Sequence, residues 1–524
     1  SRPSGVTWSP DGTRLFTRAV RHDRTWTAWD PVTGKRLYEL LPTGFVADNE
    51  WKMMPDLFFI NGGKEMVAGL EKSEKTERVG SKELLVFDAT TGKPLRRLGD
   101  PLPKERFQWA IPIAVEPDGS SVVMQVYTVS GPPGMPGGGA AMIDTVQEYT
   151  FHTTRWDPVK NESIREWEVT GHRVDTVRRF GRFTVGLGVD QGDYNNKEKT
   201  LRPAKMRCYS LSDGKLAHEW TTGFAGLEAD RVQGNFLLTT GYNRKWITRG
   251  NTLSFAAQPP FACDLWDIST GQGVRVSETD RQATVVLGPR GQYILRVRDD
   301  GSVEVYEPFV LKKAVATVSA AARPQQFEFA PDGGRVAVSL ADTSVVVWDT
   351  APWRTAIDAA VAKEIPADLG PLWNDLGADA PTGLRAARLL AAAGDRGLAL
   401  LKAKVTARQP PAAERIVRLI ADLDAPGFGT REKAEADLRE LGSTAGPFLQ
   451  RALKAGPSAE AAKRLEKLMA ALATHKLSPA EVRELRAVLV LEWQGTPAAH
   501  ELLAEWAKGD AAAVLTRAAK GIGR

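Results

Sequence analysis

Hydrophobic positions along this chain follow two different periods. Through residue 353, short runs rich in Val, Phe, Trp and Thr alternate with Gly, Pro and Asp turn signals, a pattern that predicts strands. From residue 354 onward, apolar residues recur three and four apart in segments rich in Ala, Leu, Arg and Glu, which predicts helices. The aromatic residues mark the same boundary. Of 41 Phe, Trp and Tyr, 36 lie in residues 1–353, whereas residues 354–524 hold 41 alanines and no Tyr or Cys. The expectation is a multi-domain chain, all-β over 1–353 and all-α over 354–524.

The strand region repeats. A Pro-Asp-Gly turn follows an extended run at Pro10-Asp11-Gly12, Pro117-Asp118-Gly119 and Pro331-Asp332-Gly333, with weaker copies at Asn61-Gly62-Gly63 and Gly288-Pro289-Arg290-Gly291. Each is followed by an aromatic residue and, in most copies, Asp at a strand end: Trp29-Asp30, Phe87-Asp88, Trp156-Asp157, Tyr209-Ser210, Trp266-Asp267, Tyr306-Glu307 and Trp348-Asp349. Pro sets φ, Asp bonds its own turn, and Gly takes positive φ. The aromatic ring buries area between sheets. Seven units of four antiparallel strands are predicted, and units that cannot bury both faces alone must stack and close.

These seven units resemble WD-repeat β-propeller blades. The resemblance implies a seven-bladed propeller over 1–353. The family's Gly-His survives at Gly171-His172, and of its buried hydrogen-bond set Asp342, Ser339 and Trp348 remain, without a His in 320–323.

Residues 354–524 divide into eight to ten short helices with legible caps. Ser478-Pro479-Ala480-Glu481 is a capping box with Pro at the first helical position, Thr496-Pro497 repeats the device, and Thr430 opens a helix through Leu441 that Gly442 ends. Helix pairs stacked as a small α-solenoid are the expected packing. This region is similar to the HEAT-like helical modules that follow propellers in large bacterial WD-repeat proteins, notably those of planctomycetes.

Charge excludes a polycation. Residues 354–524 carry 25 Lys/Arg against 21 Asp/Glu, which leaves 69 − 25 = 44 against 64 − 21 = 43 for residues 1–353, with both signs interspersed. No nucleic-acid partner is expected. No stretch approaches the roughly 18 uncharged apolar residues of a membrane span. The chain opens on Ser1-Arg2-Pro3 rather than Met, which reads as processed or a fragment; a soluble chain is expected, and the sequence does not choose between cytoplasm and periplasm.

No catalytic, cofactor or metal site is predicted. Six histidines are scattered without ligand spacing. Gly442-Ser443-Thr444-Ala445-Gly446 has Thr where a nucleophile elbow needs Ser. Gly34-Lys35 and Gly92-Lys93 read as hairpin turns, Asp190, Asp193, Asn195 and Glu198 as a polar loop, and Cys208 and Cys263 as small core residues.

Four insertions fall between the second and third strands of consecutive units, Glu71–Glu83, Ser130–Val146, Asp190–Lys205 and Gly241–Phe261, and are expected as loops on one rim. The fourth holds Tyr242, Arg244, Lys245, Trp246 and Arg249, residue types enriched at interface hot spots. The expected function is a non-enzymatic scaffold that offers this loop-rich face, and a second surface on the helices, to protein partners. Rival readings are an enzyme with a site in the propeller channel and a membrane-coat or tethering adaptor. The seventh unit is expected to stop at three strands, because Ala351-Pro352-Trp353 follows Trp348-Asp349 and Pro cannot donate to a ladder. Its open edge would be covered by upstream chain or by the helical tail.

Overall fold

The computed structural model describes residues 3–19, 25–43, 51–72, 82–98, 108–115, 122–130, 148–160, 162–169, 179–180, 183–190, 194–195, 200–201, 203–210, 216–221, 223–224, 226–249, 252–279, 283–311, 313–407, 413–442, 445–473, 477–510 and 513–522. They form two compact units, Ser1–Ile357 and Asp358–Arg524.

Among the described residues of the first unit, seven antiparallel sheets follow one another along the chain. Six have four strands in sequential order, the seventh has three, and a two-stranded ribbon of Tyr194–Asn195 with Thr200–Leu201 accompanies the fourth. The first sheet occupies residues 3–39, the second 51–98, the third 108–169, the fourth 179–221, the fifth 226–279, the sixth 285–318 and the seventh 324–349.

The predicted turn chemistry is present. Asp30 accepts the N–H groups of Val32 (2.8 Å) and Thr33 (3.0 Å), and Asp88 accepts those of Thr90 (2.9 Å) and Thr91 (2.7 Å). Gly34 and Gly92 then close these turns at φ +69° and +71°, where a side chain would be strained. Glu307 does the same with a longer arm, one oxygen accepting from Phe309, Val310 and Leu311. The Pro-Asp-Gly turns bond Gly12 N–H to Ser9 O (2.9 Å) and Gly333 N–H to Ala330 O (2.8 Å). The copy at 117–119, and Gly171-His172, lie outside the described residues.

Sheets pack face to face through the repeated aromatic positions. Phe16, Trp26, Ala28 and Leu40 of the first sheet form one core with Met66, Ala68, Leu85 and Phe87 of the second. Two strand ends repeat an anchor: the Trp29 indole donates to Thr17 Oγ1 (2.8 Å) and the Trp266 indole to Thr239 Oγ1 (3.0 Å). The seventh sheet does not assemble the family's buried set. Asp342 bonds Ser344 in its own turn, buried Ser339 Oγ has no described partner, and Trp348 packs on Phe327 and Trp353. Trp353, buried against Trp348 and Tyr293, belongs with the sheets, so the units divide after Ile357 rather than at 353.

The second region has eleven helices among the described residues, one more than the top of the expected range: α1 (Ala351–Ala362), α2 (Gly370–Asp375), α3 (Ala380–Ala392), α4 (Asp395–Lys404), α5 (Ala413–Asp422), α6 (Phe428–Leu441), α7 (Gly446–Lys454), α8 (Ala459–Ala473), α9 (Pro479–Gln494), α10 (Pro497–Trp506) and α11 (Val514–Ile522). The Ser478 capping box and the Thr496 cap form as expected. Helix α6 starts two residues before Thr430, capped by Gly427, and ends at Gly442 (φ +56°).

Two helix pairs, α5 with α6 and α7 with α8, stack on each other around Ile416, Leu438, Leu449 and Leu465, whereas α9 packs on α3, which is not its neighbour in sequence. The reason lies in α9, which buries Val482, Leu485, Trp493 and the continuous run Arg486–Leu491. A helix that buries so many consecutive positions must be surrounded. Its Arg486 is fully buried and donates to the carbonyls of Leu376 (2.9 Å) and Ala378 (2.8 Å), finishing the end of α2 from 110 and 108 positions away.

Candidate partner-binding ribbon

The segment Gly241–Phe261 is a β-ribbon, not the loop expected from the sequence. Strands Phe236–Arg249 and Thr252–Asp267 stay paired out to Arg249↔Thr252, with a register shift between Gly241 and Asn243. The first strand of that sheet follows them only to Tyr242, and the fourth only to Phe261. Residues 243–249 and 252–258 therefore run past both flanking strands as a two-stranded arm. The physical reason is that length and polar composition read as a loop, whereas pairing with 252–258 satisfies the backbone groups of 243–249.

Side chains pack at the base of the arm. Tyr242 is half-buried, its ring 6.3 Å from that of Phe261 and against Gly226, where any Cβ would sit 2.2 Å from the ring. Gly241 likewise makes room for the Phe224 ring, over which the Arg275 guanidinium lies at 5.4 Å. Arg275 pairs with Asp264 and Glu278. Burial pushes the Asp264 carboxyl above its usual range, against the pull of Arg275. Asn243 Nδ2 donates to Pro259 O (3.2 Å) at the register shift.

The register divides the five candidate residues. Tyr242 belongs to the packed base. Positions 244 and 246 alternate with 245 and 249, so they fall on opposite faces of the arm. Position 246 is opposite 255, a Trp–Phe pair, and 245 is opposite Ala256. The side chains of Arg244, Lys245, Trp246 and Arg249 lie outside the described residues. Segment 243–258 contains Arg244, Lys245 and Arg249 and no acidic residue.

The other three insertions also join second to third strands. Their flanking strands remain paired to Glu71↔Lys82, Ser130↔Glu148 and Asp190↔Lys205, and the tips at 73–81 and 131–147 lie outside the described residues. So do Asp193, Glu198 and the side chain of Cys208. Cys263 is a buried thiol 3.7 Å from Thr240 Oγ1.

No family model matches the chain. No curated protein matches it either. Among solved structures, a chain from the crystal structure of a mitotic checkpoint complex is similar at 14% identity, covering 66% of this chain and 86% of that one, with a TM-score of 0.39, too loose a superposition to bear on function. Among the described residues, no group of His, Cys, Asp and Glu could hold a metal ion, and no helix is long and apolar enough to cross a membrane.

Proposed function

We propose that the first unit is a seven-bladed, WD-repeat-like propeller acting as a non-enzymatic scaffold, and that the 243–258 arm is its main contact with a protein partner. The supporting observation is the arm itself: a paired ribbon that leaves its sheet on both edges, with three basic residues, no acidic one, and Trp246 opposite Phe255. A ribbon projecting from a rigid sheet presents such residues at low entropic cost. Its basic character favours an acidic segment on the partner. The seven sheets and the contact of the seventh with the first support ring closure, which would set all four insertions on one rim.

The test replaces residues 243–260 by Asn-Gly, a two-residue turn that rejoins the ladder at Tyr242 and Phe261. The shortened chain is compared with the full chain, and with a K245E/R249E variant, in quantitative capture from the source cell. The expected result is a partner lost with the arm and weakened by charge reversal at higher affinity cost in low salt. Identical capture by all three chains would overturn the reading.

A further inference from the structure

Asn61-Gly62 is the single Asn-Gly step in the sequence, and it stands where other repeats carry a Pro-Asp-Gly turn. Strands Trp51–Ile60 and Glu65–Lys72 stay paired up to Ile60↔Glu65, so residues 61–64 turn the chain. Both ends of the turn are pinned. Ile60 is fully buried, and Lys64 O accepts the Ala89 N–H at 2.9 Å. Between them Asn61, Gly62 and Gly63 take φ of +51°, +62° and +84° in succession. Asn is among the few side chains that tolerate this region, which accounts for its place beside two glycines.

The surroundings of this amide differ from those of its counterparts. Asn61 and Gly62 are both exposed, and a Cβ at Gly62 would meet no atom within 4 Å. Water therefore reaches both the side-chain amide and the peptide nitrogen that follows it. At Asp11-Gly12 the carboxylate accepts from Ser9 Oγ and from Thr13 N–H (3.0 Å), at Asp300-Gly301 from Ser302 N–H (2.9 Å), and at Asp332-Gly333 from Gly334 N–H (2.8 Å). Those ionised side chains are held in their turns and repel a nucleophile, whereas the Asn61 carboxamide is neutral. Asn235 is a neutral amide too, but it is buried and its Nδ2 donates to Asp267 (2.6 Å) and Ser269 (2.9 Å).

We infer that Asn61-Gly62 is a self-modifying site, where the asparagine converts to aspartyl and isoaspartyl residues with water as the co-reactant, and that the product loosens the junction between the first and second sheets. The Gly62 amide nitrogen attacks Asn61 Cγ, so that an N–Cγ bond forms and the Cγ–Nδ2 bond breaks. Ammonia leaves with the proton that the Gly62 nitrogen gave up, and a cyclic imide remains. One water then opens the imide. Attack at Cγ restores the main chain with an aspartyl side chain. Attack at the Asn61 main-chain carbonyl leaves the chain running through Cβ and Cγ, with a free carboxylate on Cα. No Cβ on Gly62 shields its nitrogen, and glycine lets the backbone turn into the attacking geometry at little steric cost. The effect reaches the first sheet because a Cβ at Gly63 would sit 3.2 Å from the Pro10 ring, just as one at Gly333 would crowd Pro289 between the sixth and seventh sheets. An isoaspartyl residue puts an extra backbone atom and a negative charge into a turn whose ends are fixed, which moves Gly63 off Pro10. This inference goes beyond the ribbon reading and stands whether or not the ribbon binds anything.

The test ages the full native chain in mildly alkaline buffer made with heavy-oxygen water, alongside an unaged sample that corrects for conversion during handling. Peptide mapping by mass spectrometry with electron-transfer fragmentation tells isoaspartyl from aspartyl. Residue 61 should convert at least about ten-fold faster than Asn235, which must first break its hydrogen bonds. Isoaspartyl should be the larger product, with heavy oxygen in the new carboxyl group. An intact Asn61, or one no faster than Asn235, overturns the inference. Aspartyl without isoaspartyl overturns it as well, since direct hydrolysis needs no Gly62 nitrogen. The melting temperature should fall on ageing in step with isoaspartyl content, but not in N61G, whose glycine accepts φ +51° and has no amide to lose. No fall in the native chain, or an equal fall in both, overturns the link to the junction.

Discussion

The Trp8 indole N–H donates to the Glu328 carbonyl at 2.9 Å, tying the first sheet to the seventh across 320 positions of sequence. Arg335 of the seventh sheet reinforces the tie, its guanidinium 4.9 Å over the Trp8 ring and bonded to Gly12 O at 2.9 Å. Val6, Trp8 and Leu15 share one core with Ala330 and Ala337.

Removing the indole donor should loosen that junction. W8F keeps a ring in the core but removes the indole bond to the Glu328 carbonyl, and is expected to destabilise the first unit by about 1 kcal/mol. Urea unfolding followed by circular dichroism measures it. Combining W8F with R335M should cost less than the sum of the two, since the groups touch.

The next junction depends on Tyr38, whose hydroxyl donates to Ala89 O and whose ring lies 6.3 Å from Phe16. Burial pushes its hydroxyl pKa up to about 12. A pKa raised in the folded state means the contribution is whole below the ordinary tyrosine value of about 10 and is lost as pH rises through about 12. Tyrosinate absorbance on alkaline titration should show a late-ionising component that disappears in Y38F. Y38F should also lower stability at neutral pH by about 1 kcal/mol.

At the base of the arm, Gly226→Ala drives a Cβ to 2.2 Å from the Tyr242 ring. The ring must move off Phe261, at an expected cost of about 1–3 kcal/mol. Tyr242→Ala alone should also destabilise the sheet, but in the G226A background it should cost much less. A double-mutant cycle on melting temperature checks this. Additive losses would show that the two residues do not share the space.

In the helical unit, Glu435 on α6 is buried and accepts from Arg439 (2.6 Å), Arg464 (2.8 Å) and Lys467 (2.8 Å), which joins α6 to α8. Burial raises its pKa, but the bond from Lys467 and the positive charges of Lys467, Arg439 and Arg464 outweigh it, and the net shift is downward. A depressed carboxyl pKa contributes stability above the unfolded value, which is lost as pH falls through the folded one. E435Q should cost about 1–2 kcal/mol at pH ~7, because the charge-assisted bonds to Glu435 are lost while Arg464 keeps Glu432 and Glu460 and the Arg439 and Lys467 ends reach water. The deficit should shrink on acidification below the unfolded carboxyl value of about 4.3. Urea midpoints at the two pH values report it, and a pH-independent deficit would mean the charge of Glu435 is not what matters.

Sequence by itself determined what is local. Asp30 and Asp88 cap turns within three residues, Gly34 and Gly92 supply positive φ, Ser478 and Glu481 cap a helix three positions apart, and the chain turns helical at Ala351-Pro352 directly after the strand Val345–Asp349. Each depends on side chain and backbone a few residues away, so residue type is enough. Only the tertiary structure decided the rest. Residues 243–249 became a strand because 252–258 paired with them, an outcome polar composition did not announce. Helix α9 turned back to α3 because its buried surface outgrew what sequential neighbours could cover. Thr17 and Thr27 look like ordinary strand residues until the seventh sheet packs beside them, bringing Val345 and Val347 to the far wall of one shared cavity. Contacts of that span depend on how whole sheets stack, and no local pattern of residues encodes the gap they leave.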